Sequence, residues 1–155
     1  MRPSTRVVIP HRGTDHDKTR LPGMLGREGR ALLSATMLRR VASACRAAAQ
    51  DVLVISPDPN LRRLAQELGV GFVLQRGLGM NEALVHAREM ALADGVQRLA
   101  VVSADLPEVL PADIGALLEA GSGSASSVVI APDRAGDGTN ALVLHPPVAI
   151  PFRFG

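Results

Sequence analysis

An α/β fold, with a mostly parallel sheet flanked by helices, is what this sequence predicts, on three observations. Short apolar runs closed by proline, glycine or a polar turn alternate with segments of helical periodicity, the order expected of βα units. The runs read as buried strands. The 155 residues are enough for one domain with a real core, and a hydrophobic fraction of 46% with 21% charged residues fits a globular chain.

Val7-Val8-Ile9 reads as the first strand, stopped by Pro10, with a polar loop containing Gly13, Pro22 and Gly23 after it. Arg30 to Ala49 reads as a helix, since Leu33, Met37, Val41 and Cys45 recur every four residues. Asp51 to Ser56 is a second strand, and Pro57-Asp58-Pro59 opens a helix through Leu68 that Gly69 ends. Val70 to Leu74 is a third strand. Gly77-Leu78-Gly79 then precedes a helix from about Asn81 to Ala93, ended at Gly95. Leu99 to Ser103 is the fourth strand. Pro111-Ala112-Asp113 starts a helix reaching Ala120, and Ser127 to Ala131 and Ala141 to Leu144 are the fifth and sixth strands. Ile150 to Gly155 holds two of the three phenylalanines. It reads either as a segment that packs on something else or as a tail folded back on the core.

Composition narrows the function. Aromatic residues make up 2% of the chain, with no Trp and no Tyr, so a base-stacking platform for single-stranded nucleic acid is not expected. Residues 1–40 carry nine of the seventeen basic residues and three of the fifteen acids, which suits either an anionic ligand or a solvated basic face. The single cysteine, Cys45, excludes an internal disulfide and a cysteine-rich metal site, and its helical setting reads as a buried inert thiol. No apolar run approaches transmembrane length and no signal peptide is evident, so the expected compartment is the cytoplasm, with no membrane partner.

Four constellations could carry chemistry. Asp105 follows the run Leu99-Ala100-Val101-Val102-Ser103-Ala104 and precedes Leu106-Pro107, which places a carboxylate at the C-terminal edge of a buried strand. Ligands of open α/β sheets bind at that edge, and a carboxylate there can hold a divalent metal against substrate phosphates. The bland alternative is that Asp105 caps a turn. The loop Pro10 to Leu21 brings Arg12, Lys18 and Arg20 between a strand and a helix, where they could cradle phosphates, although no Walker A or Rossmann spacing is present. Its His11, Asp15, His16 and Asp17 admit a metal-cluster reading, but short polar loops often look like this. Asn81 is either the N-cap of its helix or a contact to a base or ribose edge, and His86 one turn on is a surface or core residue. Ala131 to Leu142 contains Arg134, two glycines, Thr139 and Asn140, which fits a small anionic substrate or an ordinary glycine turn with a satisfied Asp133. Neither Ser103 nor Cys45 has an evident base partner, and metal-assisted nucleotidyl transfer needs none.

Taken in order, Lys18-Thr19-Arg20-Leu21, Gly79-Met80-Asn81-Glu82-Ala83-Leu84, Ser103-Ala104-Asp105-Leu106-Pro107, Ala131-Pro132-Asp133-Arg134, Gly138-Thr139-Asn140-Ala141-Leu142 and Phe152-Arg153-Phe154-Gly155 resemble a known family. It is the 2-phospho-L-lactate and phosphoenolpyruvate guanylyltransferases of coenzyme F420 biosynthesis. The resemblance covers essentially the whole chain. It implies a GT-A type, nucleotide-diphospho-sugar transferase-like fold, Mg²⁺ as cofactor, and GTP plus the phosphate of a small three-carbon acid as reactants, with pyrophosphate leaving. Carried across, it implies that Lys18 is catalytic and, with Arg12 and Arg20, holds the nucleotide phosphates. Asn81 would contact the nucleoside, Asp105 would be catalytic as the metal ligand, and Thr139, Asn140 and Gly155 would bind the acid. A homodimer is admitted as the assembly.

Two features depart from the family. The stretch Arg12 to Asp17 is more acidic and richer in His than the usual form. Family members also continue past Phe-Arg-Phe-Gly with a Gly-Ser segment and a late Asp that supplies a second metal carboxylate. The expectation is therefore a single nucleotidyltransferase domain over residues 1–155 without that segment. Two further readings stand beside it. One is a related nucleotidyltransferase acting on the molybdenum cofactor or a sugar phosphate, which typically has a stronger glycine-rich first loop. The other is an inactive truncated nucleotide-binding or interaction protein.

Overall fold

The computed structural model describes residues 2–13 and 26–155. In chain order the elements are β1 (Thr5–Pro10), α1 (Arg27–Ala48), β2 (Asp51–Ser56), α2 (Leu61–Glu67), β3 (Gly71–Leu74), α3 (Met80–Ala93), β4 (Arg98–Val102), α4 (Pro111–Glu119), β5 (Ser127–Pro132) and β6 (Thr139–His145). The six strands form one sheet in the order β3-β2-β1-β4-β6-β5. β1 pairs in parallel with β2 and β4, and β2 with β3; β6 runs antiparallel to both β4 and β5.

The central strands are apolar throughout because both faces of the sheet are covered. Val7, Ile9, Val52, Val54, Ala100 and Val102 face a core built with α1, α2 and α4. Their alternates, Val8, Leu53, Ile55, Leu99 and Val101, face a second core built on α3. α3 presents Ala83, Ala87 and Ala91 at four-residue spacing, and these small side chains let the helix lie close to the sheet. Phe152 fills the remaining space on that side, so residues 150–154 are a segment folded back on the core.

Among the boundaries that differ from the sequence reading, three have a clear local reason. α1 starts at Arg27, one turn early, with Gly26 as its N-cap and Glu28 favourable in the first turn. α2 starts at Leu61 rather than at the Pro57-Asp58-Pro59 run. There the Asp58 carboxylate accepts a hydrogen bond from the Asn60 amide at 2.9 Å, which makes a turn before the helix. β6 starts at Thr139, two residues before the predicted start, because pairing with Pro132 continues past a β-bulge.

Arg98 opens β4 buried, and its guanidinium closes α4. Nη1 donates to the Leu118 carbonyl at 2.8 Å and Nη2 to the Ala120 carbonyl at 3.1 Å, satisfying the end of the helix. Burial lowers its pKa, and Glu119 opposes that shift. Replacing Arg98 with Leu should cost about 2 kcal/mol in urea denaturation, since two charge-assisted hydrogen bonds go and two carbonyls are stranded.

Candidate active site at the strand ends

Four parallel strands end at one edge of the sheet, and so does the start of antiparallel β6. A cleft of about 550 Å³ lies there, within the size range of small-molecule sites. Its walls come from three successive strand exits: Pro10, His11, Arg12 and Gly13 after β1; Pro57, Asp58 and Pro59 after β2; and Gln75, Leu78, Gly79 and Met80 between β3 and α3, with Ala83 on the helix. The prolines, Leu78, Met80 and Ala83 make it largely apolar. Asp58, Gln75 and Arg12 supply the polar groups.

Each exit is held in shape. The Gly13 amide donates to His11 Nδ1 at 2.9 Å, which puts the ring proton on Nε2, 2.8 Å from Ser34 Oγ. Buried His11 therefore has both ring nitrogens engaged and shapes the loop, while Asp15, His16 and Asp17, the other members of the metal-cluster reading, lie outside the described residues. Gly13 has φ +99°, and a Cβ on it would come within 2.9 Å of Asp58 Cβ, so the first two exits meet backbone to side chain. The Gln75 side-chain amide donates to the Gly77 carbonyl at 3.1 Å and fixes the glycine turn ahead of α3. Gly77 has φ +82° and lies under the Glu82 carboxylate.

Asp105 lies just past β4 on the same edge and is exposed. One of its carboxylate oxygens accepts from Ser103 Oγ at 2.5 Å. Because β6 is antiparallel to β4, its first residues lie beside Asp105: the Ser103 amide donates to the Asn140 carbonyl at 2.9 Å, with Val102 opposite Ala141. Among the described residues no three His, Cys, Asp or Glu side chains gather into a metal cage. An exposed carboxylate at a strand end is the kind of group that can hold a hard cation whose other oxygens come from substrate phosphates and water.

The fold thus brings together Arg12 at the cleft, Asp105 after β4 and Thr139 with Asn140 at the start of β6. Lys18 and Arg20, with Asp15, His16 and Asp17, lie outside the described residues. Asn81 does not cap α3: Gly79 is the N-cap, and Asn81 is the second residue of the helix. Its side-chain amide instead pairs with Phe154, donating to the Phe154 carbonyl at 2.8 Å and accepting from the Phe154 amide at 2.7 Å. That pairing sets Gly155, the next residue, beside the start of α3. His86 is half-buried, and its Nδ1 accepts from the Arg76 amide at 3.2 Å. Its pKa is lowered by burial first and then by Arg76. Cys45 is buried, and burial pushes its thiol up to about 12, as an inert core thiol requires. Asp58 and Gln75 escaped the sequence reading. Both lie within two residues of the end of a parallel strand, and that rule could have found them.

Between β5 and β6, Asp133 is satisfied within its own turn. Its Oδ1 accepts from the amides of Gly136 at 2.7 Å and Asp137 at 3.1 Å, and its own amide donates to the Gly138 carbonyl. The backbone amides, Gly138's foremost, hold the carboxyl below its usual value of 3.8. A depressed carboxyl pKa stabilises the turn above the ordinary carboxyl range, and that contribution is lost as pH falls through the depressed value. A carbon-detected NMR titration should show Asp133 with a midpoint below 3.8, and the Gly136 and Asp137 amides should begin to exchange faster only beneath it.

Known proteins fit this arrangement. The structure is similar to one assigned to the nucleotide-diphospho-sugar transferases, from Desulfovibrio desulfuricans, with a TM-score of 0.73 at 19% identity over 96% of this chain and 65% of that one. It is also similar to a cytidylyltransferase from Leptospira borgpetersenii, with a TM-score of 0.61 at 15% identity over 95% and 62% of the two chains. These likenesses establish the nucleotidyltransferase type of fold expected from the sequence. In sequence the chain is 46% identical to a phosphoenolpyruvate guanylyltransferase of Rubrobacter xylanophilus, over 98% of this chain and 74% of the relative. It is 39% identical to the protein of the same name from Thermobaculum terrenum, over 96% and 64%. It is 36% identical to a 2-phospho-L-lactate guanylyltransferase of Methanothermobacter thermautotrophicus, over 97% and 66%. The family described as guanylyl transferase CofC-like matches residues 5–155, and the chain belongs to that family.

Proposed function

We propose that this protein transfers GMP from GTP to the phosphate of phosphoenolpyruvate in coenzyme F420 biosynthesis, with Mg²⁺ as cofactor. The observation that carries the proposal is a 46% identity, along nearly the whole chain, to a protein named for that activity. Phosphoenolpyruvate is preferred over 2-phospho-L-lactate because relatives at 46, 39 and 38% identity carry its name.

The geometry supports a layout for the reactants. The cleft has apolar walls, Asp58 lines it, and Glu82 lies in the first turn of α3. That environment favours a neutral purine with hydrogen-bond donors over a phosphate. The triphosphate then runs from the cleft past Arg12 toward Asp105. Lys18 and Arg20 are proposed to bind it, with Lys18 catalytic, and Asp105 to hold Mg²⁺. Bound there, Mg²⁺ would neutralise charge on the phosphates as it builds in the transition state. Thr139, Asn140 and Gly155 orient the acid so that one of its phosphate oxygens faces the α-phosphorus. The new P–O bond forms as the bond to the bridging oxygen breaks, and the β- and γ-phosphates leave as pyrophosphate.

The test is pyrophosphate release with GTP, Mg²⁺ and either acid. Release that depends on phosphoenolpyruvate and is faster than with 2-phospho-L-lactate supports the reading; faster release with 2-phospho-L-lactate reassigns the acceptor, and release with neither removes the proposal.

A further inference from the structure

Asn81 and Arg88 lie seven residues apart on α3, two turns along one side of the helix. Both hold the same segment of chain. Arg88 Nη1 donates to the Ile150 carbonyl at 2.9 Å, and its guanidinium lies 4.4 Å from the centroid of the Phe152 ring. Asn81 pairs with both main-chain groups of Phe154, as a strand neighbour would. Seven helical residues rise about 10 Å, and four extended residues span about 13 Å, so residues 150–154 form a strap running antiparallel to α3. Phe152 is buried, Phe154 is half-buried, and their rings are 6.5 Å apart, while Arg153 between them is exposed.

The strap delivers its far end to the start of α3, where Gly79 and Met80 line the cleft. Asn81 gives one of its two N–H donors and one lone pair of its oxygen to Phe154, and the two bonds together fix the plane of its amide against the strap rather than toward a ligand. A surface anchor would not need both bonds, because Phe152 and Arg88 already dock the strap upstream. The second pairing specifically fixes the register of the last residues.

We infer that Asn81 is a positioning residue for the acceptor acid. It acts through Phe154 to set the main chain of Gly155 at the mouth of the cleft, and it does not read the nucleoside. This rests on the proposed transfer reaction, with Gly155 as part of the acid site.

The experiment compares wild type with Asn81→Ala, Asn81→Asp and Arg88→Leu, the last loosening the strap far from any ligand. Pyrophosphate release gives KM for phosphoenolpyruvate, and calorimetry gives Kd for GTP. Loss of two hydrogen bonds should raise KM for the acid about 10- to 30-fold in Asn81→Ala, with Kd for GTP within about two-fold. Asn81→Asp, which can still accept from the Phe154 amide, should fall between, and Arg88→Leu should raise the same KM less. A weakened Kd for GTP with KM for the acid unchanged would overturn the inference in favour of a nucleoside contact, and so would no change in either constant. An NMR arm separates this from failure of the transfer reading. Phosphoenolpyruvate added with a non-hydrolysable GTP analogue should shift the Gly155 amide in wild type and not in Asn81→Ala, whether or not pyrophosphate is ever released. An unmoved Gly155 amide in wild type overturns the inference.

Discussion

Asp105→Asn should lower pyrophosphate release by about 10³-fold while leaving the protein folded. The substitution keeps the size of the side chain and its ability to accept from Ser103 Oγ, and removes only the charge. Asp105 is the residue proposed to hold the metal, so its charge is what the substitution tests. Removing a single group aimed at transition-state charge commonly costs 10²- to 10³-fold, and the carboxylate that anchors a divalent cation belongs at the upper end. Because the residue is exposed at the end of its strand, stability should change by less than about 1 kcal/mol. Raising Mg²⁺ should recover part of the rate, since what is lost is affinity for the ion. A full rate in Asp105→Asn at low Mg²⁺ would remove Asp105 from the metal site.

Gly13→Ala should be the more damaging change to the fold, and it reaches the site by another route. At φ +99° an alanine is strained, and its methyl carbon would sit 2.9 Å from Asp58 Cβ, which is no flexible tip that can swing aside. The strain and the overpacking together should cost about 3 kcal/mol, read as a lower urea midpoint. Either the Gly13 amide leaves His11 Nδ1 or the Pro57-Asp58-Pro59 turn moves outward, and both deform the same cleft. GTP affinity should therefore fall by about ten-fold or more, in contrast to Gly95→Ala. Gly95 also has positive φ, but nothing lies within 4 Å of its Cβ position and it is remote from the cleft, so only stability should drop.

What the sequence disclosed and what it hid follow from the range of the interactions. The strands were legible because their apolar runs record burial on two faces, as Val7 and Val8 show by facing opposite cores. The place of Asp105 at the strand edge was legible because a buried strand and a proline bracket it within a few residues. The start of α2 was misread because a proline-rich opening looks like a helix start, while the Asp58 side chain spends its oxygen on a turn. The Asn81–Phe154 pairing joins residues 73 positions apart, and no local pattern reports it. The same holds for the cleft: Gly13, Asp58 and Gln75 look ordinary one at a time and become a site only when three strand exits converge.

GTP labelled at the α-phosphate, incubated with phosphoenolpyruvate and Mg²⁺, tests the central claim most directly. The account predicts that label leaves GTP and appears in a product joined to the three-carbon acid through a diphosphate, with unlabelled pyrophosphate formed in equal amount. It also predicts that Asp105→Asn forms almost none of that product. Label that stays in GTP with every acid offered, or that appears as free GMP, would contradict it.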